Sequence, residues 1–144
     1  MPISMETLDH VTISTNNLEA TRQFYCDVLG MKKGFRPETI AARVPGLWLY
    51  TSDDKPRLHI IVSEDILPQG SAAVNHFAFN ARDCDKFLRR LDTHGISFRG
   101  SHLPEIEIYQ VFFYDPQGIM IEVNFRGTER PRAILDGEDK AVSA

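Results

Sequence analysis

The 144-residue sequence is poor in cysteine, with two, and has a single tryptophan. Two thiols cannot build a disulfide framework. Cys26 and Cys84 also lack the spacing of a metal-binding thiol pair, so both read as small buried side chains in helices. No apolar run approaches the length of a membrane span. The opening M-P-I-S-M-E-T-L-D has neither the basic nor the apolar region of a secretory signal. A cytoplasmic setting without membrane attachment is therefore expected. A basic field is missing too. The net charge is −4, and Lys and Arg are scattered, which argues against a nucleic-acid partner.

What is present is a repeat. Residues 8–14 alternate like a half-buried strand, Asn16 and Asn17 offer caps, and Leu18–Leu29 reads as a helix stopped by Gly30. Its buried side is expected to carry Leu18, Phe24 and Leu29. Strands are predicted at 31–36, 46–51 and 57–63, with Pro37 and Pro45-Gly46 as breaks. After a polar linker the pattern restarts: a strand at 74–80, a helix capped by Asp83 and stopped by Gly95, then strands near 96–99, 107–114 and 119–125. Asp115-Pro116-Gln117-Gly118 forms a turn in which the Asp115 side chain is expected to bond backbone. His94 sits where a helix C-terminus favours it, and the charges from Arg82 to Arg90 read as a solvated helix face. The predicted organisation is one α+β domain over 1–125: module one at 1–63, a linker at 64–73 and module two at 74–125. A polar tail over 126–144 follows, in which Ile134-Leu135 offers a docking point.

Four metal-capable residues fall at matched places in the two halves. His10 lies in L-D-H-V-T-I-S and His76 in V-N-H-F-A-F-N; His59 lies in R-L-H-I-I-V and Glu122 in M-I-E-V-N-F. Alternation puts each on the strand face opposite the bulky apolar residues: Val11 and Ile13, Phe77 and Phe79, Leu58 and Ile60, Ile121 and Val123. Any one strand histidine is usually a satisfied or solvated side chain. A buried glutamate among imidazoles, repeated in register, needs a cation or donors to offset its charge, and a divalent metal supplies that.

These motifs resemble the vicinal oxygen chelate superfamily of glyoxalases, bleomycin-resistance proteins and extradiol dioxygenases. The resemblance covers residues 8–125. It rests on L-D-H-V-x-I followed by Asn17, Phe24, Tyr25, Leu29 and Gly30, then on N-H-F-A-F and F-F-Y-D-P-Q-G-I-M-I-E-V. It implies two βαβββ modules with curved mixed sheets forming a cleft around a divalent ion. It also implies His10, His76 and Glu122 as metal ligands and a small-molecule substrate chelated through neighbouring oxygens. His59 departs from the carboxylate that glyoxalases usually carry at this position. Two roles stay open for it: a fourth ligand, or an acid/base beside the metal. Two histidines and one glutamate form the facial set that leaves positions open on Fe(II), which favours an extradiol-type dioxygenase. Mn, Zn, Ni or Co with lyase or isomerase chemistry is the alternative, and a non-catalytic drug-binding resistance protein is a further one. A thiol-transferase of the fosfomycin-resistance kind would need a cationic pocket, for which Arg57 is the one obvious residue beside a ligand strand.

The extradiol pattern is nearly complete. His102 stands where its histidine would be, although its surroundings read as an irregular loop. Phe112 replaces its tyrosine and so lacks a donor. Gln110 and Phe112 share the ligand-bearing side of their strand by parity. Leu47, Trp48, Leu49 and Tyr50 alternate without a polar phase, so which pair faces the site is open. Plain core is the simpler reading for Trp48, and an aromatic wall for a substrate the sharper one. A homodimer is expected, since modules can pair within a chain or between chains.

Overall fold

The computed structural model describes residues 2–65 and 73–127. Most of the predicted linker and nearly all of the tail, Ile134 and Leu135 included, lie outside these residues. The chain divides into two compact units, Met1–Pro68 and Gln69–Ala144. The division falls within the segment read as the linker.

The first unit contains β1 (Val11–Thr15), α1 (Leu18–Arg22), β2 (Lys32–Lys33), α2 (Glu38–Ala41), β3 (Gly46–Tyr50) and β4 (Pro56–Val62). The second contains β5 (His76–Ala81), α3 (Cys84–Thr93), β6 (Arg99–Leu103), β7 (Ile108–Tyr114) and β8 (Met120–Arg126). The strand orders are β1-β4-β3-β2 and β5-β8-β7-β6. In each sheet the last strand lies inside, parallel to the first and antiparallel to the third. The predicted repeat is thus the repeat observed, and the class is α+β with two four-stranded mixed sheets. Among the described residues no helix is long and apolar enough to cross a membrane.

Local chemistry explains most boundaries. Asn17 Oδ1 accepts from the Ala20 amide at 3.1 Å and caps α1. The buried hydroxyls of Thr15 and Thr21 meet at 2.8 Å and tie the helix to β1. The helix then widens into a π-helical turn over Gln23–Val28, with the Leu29 amide bonding the Phe24 carbonyl five residues back. That extra residue per turn rotates the buried side. Phe24, Tyr25 and Val28 are buried together, while Leu18 and Leu29, expected on that side, are only half-buried. Gly30 closes the helix at φ 79°, a conformation that suits glycine.

Two other expectations change. The strand predicted at 31–36 shrinks to Lys32–Lys33, and the short α2 turn follows Pro37. Asp83 precedes α3 but stands left-handed, at φ 59°, with no side-chain cap bond. Gly46 opens β3, where the strand expected over 46–51 begins. A Cβ at that position would collide with the Ile60 carbonyl oxygen of the neighbouring strand. The Asp115 turn forms as predicted, its Oδ1 accepting from the Gln117 and Ile119 amides at 2.9 and 2.8 Å.

Apolar burial follows the strand alternation in both units. Ile13, Leu47, Leu49, Leu58 and Ile60 fill the core side of the first sheet, and Val111, Phe113, Ile121, Val123 and Phe125 that of the second. Phe87 of α3 stacks near Phe113 and Phe125, with ring centroids 5.8 and 5.4 Å away. The opposite face of each sheet is left to the polar and aromatic residues that define the candidate site.

Candidate metal and substrate site

In the first unit, His59 lies on β4 between the buried Leu58 and Ile60 and so on the other face. Its register partner on β3 is Trp48. Leu47 and Leu49 are buried, which settles the open question: Trp48 belongs to the histidine face, not to the core. Its ring lies between two imidazoles, 5.5 Å from His10 and 5.2 Å from His59 between centroids. His10 Nδ1 donates to Asp9 Oδ2 at 2.6 Å.

Arg36, just ahead of α2, places Nη2 3.2 Å from His59 Nε2. A guanidinium only donates, so Nε2 must be the acceptor, and the neutral ring then carries its proton on Nδ1. Burial, followed by the Arg36 and His10 charges, holds the His59 pKa below the usual imidazole value. His59 is therefore neutral at pH 7. Arg57, the basic residue singled out from sequence, is occupied elsewhere: its Nη1 donates to the Leu8 and Asp9 carbonyls at 3.3 and 3.0 Å. Arg36 takes the place beside the site that the sequence suggested for Arg57.

In the second unit, Glu122 is buried on β8 opposite Phe112 of β7. Gln110 Nε2 donates to Glu122 Oε1 at 3.0 Å, and Asn124 Nδ2 to Oε2 at 2.9 Å. Gln110 thus lies on the ligand side, as parity required, and its amide orients the carboxylate. His76 Nδ1 donates to Asn75 Oδ1 at 2.6 Å, and its Nε2 stands 3.5 Å from Glu122 Oε1. Phe112 meets the His76 ring edge-on at 6.0 Å, and the Arg99 guanidinium stacks 4.5 Å from the Phe112 centroid. Trp48 and Phe112 hold the same place in the repeat, each cross-strand from the residue at the His59/Glu122 position.

His102 corrects the loop expectation. Strand β6 pairs with β7 as far as Leu103, and His102 lies opposite Tyr109. Tyr109 is buried on the core side, so His102 shares that face rather than the face of Gln110 and Phe112. The thiols behave as structural groups. Burial, then Asp85, pushes Cys84 up to about 12, and burial also raises Cys26.

The donor chemistry fits a divalent metal. Both His10 and His76 give their Nδ1 protons to an oxygen acceptor, which fixes the tautomer and leaves the Nε2 lone pair for a ligand bond. A nitrogen and an oxygen bound to one ion at ordinary bond lengths lie about 3.0–3.4 Å apart. The His76–Glu122 separation of 3.5 Å needs little adjustment. The second unit brings His76 and Glu122 together directly, while in the first His10 and His59 each pack against Trp48. Within neither unit do three His, Cys, Asp or Glu side chains among the described residues gather into a metal-holding group. Sequence reasoning does not reach Arg36, Asn124 or Arg99. The parity that locates Gln110 applies equally to Asn124, two residues from Glu122, and would have found it.

Repeated mixed sheets with His, Glu and aromatic side chains on the face away from the core define a protein of the vicinal oxygen chelate class. The chain belongs to the Glyoxalase/Bleomycin resistance protein/Dioxygenase superfamily, whose sequence profile matches residues 7–123. It is 28% identical over 127 residues to "Glyoxylase I 4" of Arabidopsis thaliana, covering 85% of this chain and 72% of that one. A solved Bacillus anthracis structure assigned to the glyoxalase family matches with a TM-score of 0.71 and 26% identity, over 88% of this chain and 99% of that one. A genomically encoded fosfomycin resistance protein from Listeria monocytogenes shares the fold at a TM-score of 0.63 and 18% identity, over 85% and 94% of the two chains. The superfamily includes enzymes, and its members bind small molecules, generally with divalent metals.

Proposed function

We propose that this chain is a divalent-metal-dependent enzyme acting on a small molecule through two neighbouring oxygens. His10, His76 and Glu122 are its metal ligands. The observation that carries this reading is the His76–Glu122 pair at 3.5 Å, with His76 and His10 locked through Nδ1 in the ligand-ready tautomer. A bound divalent ion would supply Lewis-acid polarisation of substrate oxygen. The chain's own residues do the rest. Gln110 and Asn124 orient the Glu122 carboxylate. Trp48 and Phe112 offer ring surface for a substrate. His59, with its Nε2 turned to Arg36, stands off the metal and serves in proton transfer. The basic site of the neutral ring is the Nε2 lone pair, so taking up a substrate proton there requires the Arg36 contact to open.

Two histidines and one carboxylate favour Fe(II) and an extradiol-type dioxygenase. A histidine where glyoxalases carry a carboxylate points the same way. The name of the Arabidopsis relative favours a second reading, a glyoxalase-like lyase or isomerase using Mn, Zn, Ni or Co. One set of assays separates them. Metal-stripped protein is reloaded with Fe(II) under anaerobic conditions and followed for O₂ uptake with catechols. In parallel, Mn, Zn, Ni and Co forms are assayed on hemithioacetals. Catechol-dependent O₂ uptake is expected. Turnover of hemithioacetal without O₂ uptake selects the second reading. Failure to retain any metal sinks both and leaves a drug-binding protein. The enzyme is further proposed to be cytoplasmic and a homodimer, as superfamily members often are. Light scattering coupled to size exclusion should give twice the 16.4 kDa chain mass, and a monomer at all concentrations would contradict it.

A further inference from the structure

The first unit buries two donors that have no acceptor among the described residues. Arg36 Nε and the indole Nε1 of Trp48 are both buried and lack a hydrogen-bond partner among the described residues. Each can only donate. Both adjoin His59: Arg36 by its Nη2 contact at 3.2 Å, Trp48 by ring contact and cross-strand register. Among the described residues no carboxylate pairs with Arg36. A neutral imidazole on one guanidinium nitrogen orients the group but leaves its charge uncompensated.

Buried donors in native proteins are nearly always matched, and a half-buried guanidinium favours an opposite charge as well. The repeat makes the arrangement specific. At the place of Trp48 the second unit has Phe112, which has no N–H, and the cation there, Arg99, is stacked on the ring face. The aspartate nearest in sequence to His10 is committed to that ring. What matches one charged and one neutral N–H is an acceptor-rich anion.

We propose that Arg36 and the Trp48 indole form an oxyanion-binding subsite, taking a carboxylate or phosphonate group of the substrate. Guanidinium recognises both in forked, charge-assisted geometry, which lysine reproduces poorly. His59 holds the guanidinium in place through Nη2. Assigning the anion to the substrate rests on the enzymatic reading above; the subsite itself does not. It narrows the substrate class to molecules that carry an anionic group besides the oxygens presented to the metal.

Trp48 is the chain's single tryptophan, so its fluorescence reports this subsite alone. The full chain, as purified and again after chelator treatment, is titrated with benzoate, phenylphosphonate and the neutral isostere benzamide. At least one of the two anions should change Trp48 emission saturably and bind about tenfold or more tighter than benzamide, in both preparations. The tighter anion identifies the group. Arg36→Gln should weaken anion binding by about 10- to 100-fold without changing the circular dichroism spectrum, and Arg36→Lys should restore part of it. Equal binding of benzamide and both anions overturns the proposal, as does full anion affinity in Arg36→Gln. If the Gln variant does not fold, the Arg36→Lys titration and the wild-type comparison decide. Because the chelated protein is tested too, a failed metal site leaves the subsite standing, and a failed subsite leaves the metal assays untouched.

Discussion

Glu122→Gln is expected to abolish retention of the proposed divalent metal while leaving the fold in place. The two effects separate because of the residues around the carboxylate. Gln110 Nε2 and Asn124 Nδ2 each donate to one oxygen of Glu122. A glutamine keeps one acceptor oxygen and presents an NH₂ where the other stood. That NH₂ would face the Asn124 amide donor to donor. Asn124 Oδ1 is buried without a partner among the described residues, so turning its amide over presents an acceptor and restores the bond. Thermal stability of the metal-free protein should therefore change little, by about 1 kcal/mol or less. Metal affinity should fall by at least about 100-fold, since removing even a supporting group around a metal ligand costs 10- to 100-fold. Metal analysis after gel filtration and competition with a chromophoric chelator give the two numbers. Gln110→Leu, which removes one supporting donor, should fall between wild type and Glu122→Gln. Full metal occupancy in Glu122→Gln would remove Glu122 from the ligand set.

The second large effect is expected in a strand that carries no ligand. Gly46 faces the backbone of β4, and an added methyl would run into the Ile60 carbonyl oxygen. A flexible side chain could move aside, but a backbone atom of the sheet's inner strand cannot move without breaking the ladder. Gly46→Ala should therefore cost about 3 kcal/mol or more, in the range reserved for backbone strain and core disruption. For a chain of this size that is a fall in Tm of roughly 10 °C, measurable by calorimetry. The damage should reach the site, because β3 sets Trp48 beside His59. Trp48 emission in the folded variant should shift from wild type. An unchanged Tm would mean that β3 slides at no cost, against the geometry described.

Strands and repeat are legible in the sequence because alternation reports a face. His59 between Leu58 and Ile60, and Gln110 and Phe112 on either side of Val111, are placed by alternation alone. Trp48 is not, because Leu-Trp-Leu-Tyr has no polar phase to set against an apolar one. Arg36 is invisible for another reason. It follows a two-residue strand and precedes Pro37, so no periodicity reaches it, and its contact with His59 spans 23 residues. His102 escapes the pattern because Gly100 and Ser101 look like loop, yet pairing with β7 holds them in a strand. The side of the first helix that is buried is shifted by its π-helical turn, which residue propensities do not announce.

The position of β4 and β8 governs how the chain can be made. Each is the last strand of its unit to leave the ribosome, yet each lies inside its sheet, bridging the first strand to the third. Until β4 emerges, β1 has no strand partner, and its backbone edge stays unpaired through more than forty residues of synthesis. Once Val62 is out, every strand pairing of the first unit can form without a residue of the second. Released fragments ending just before residue 56 and just after residue 62 should therefore differ sharply in protease resistance, since the sheet closes in that one short interval.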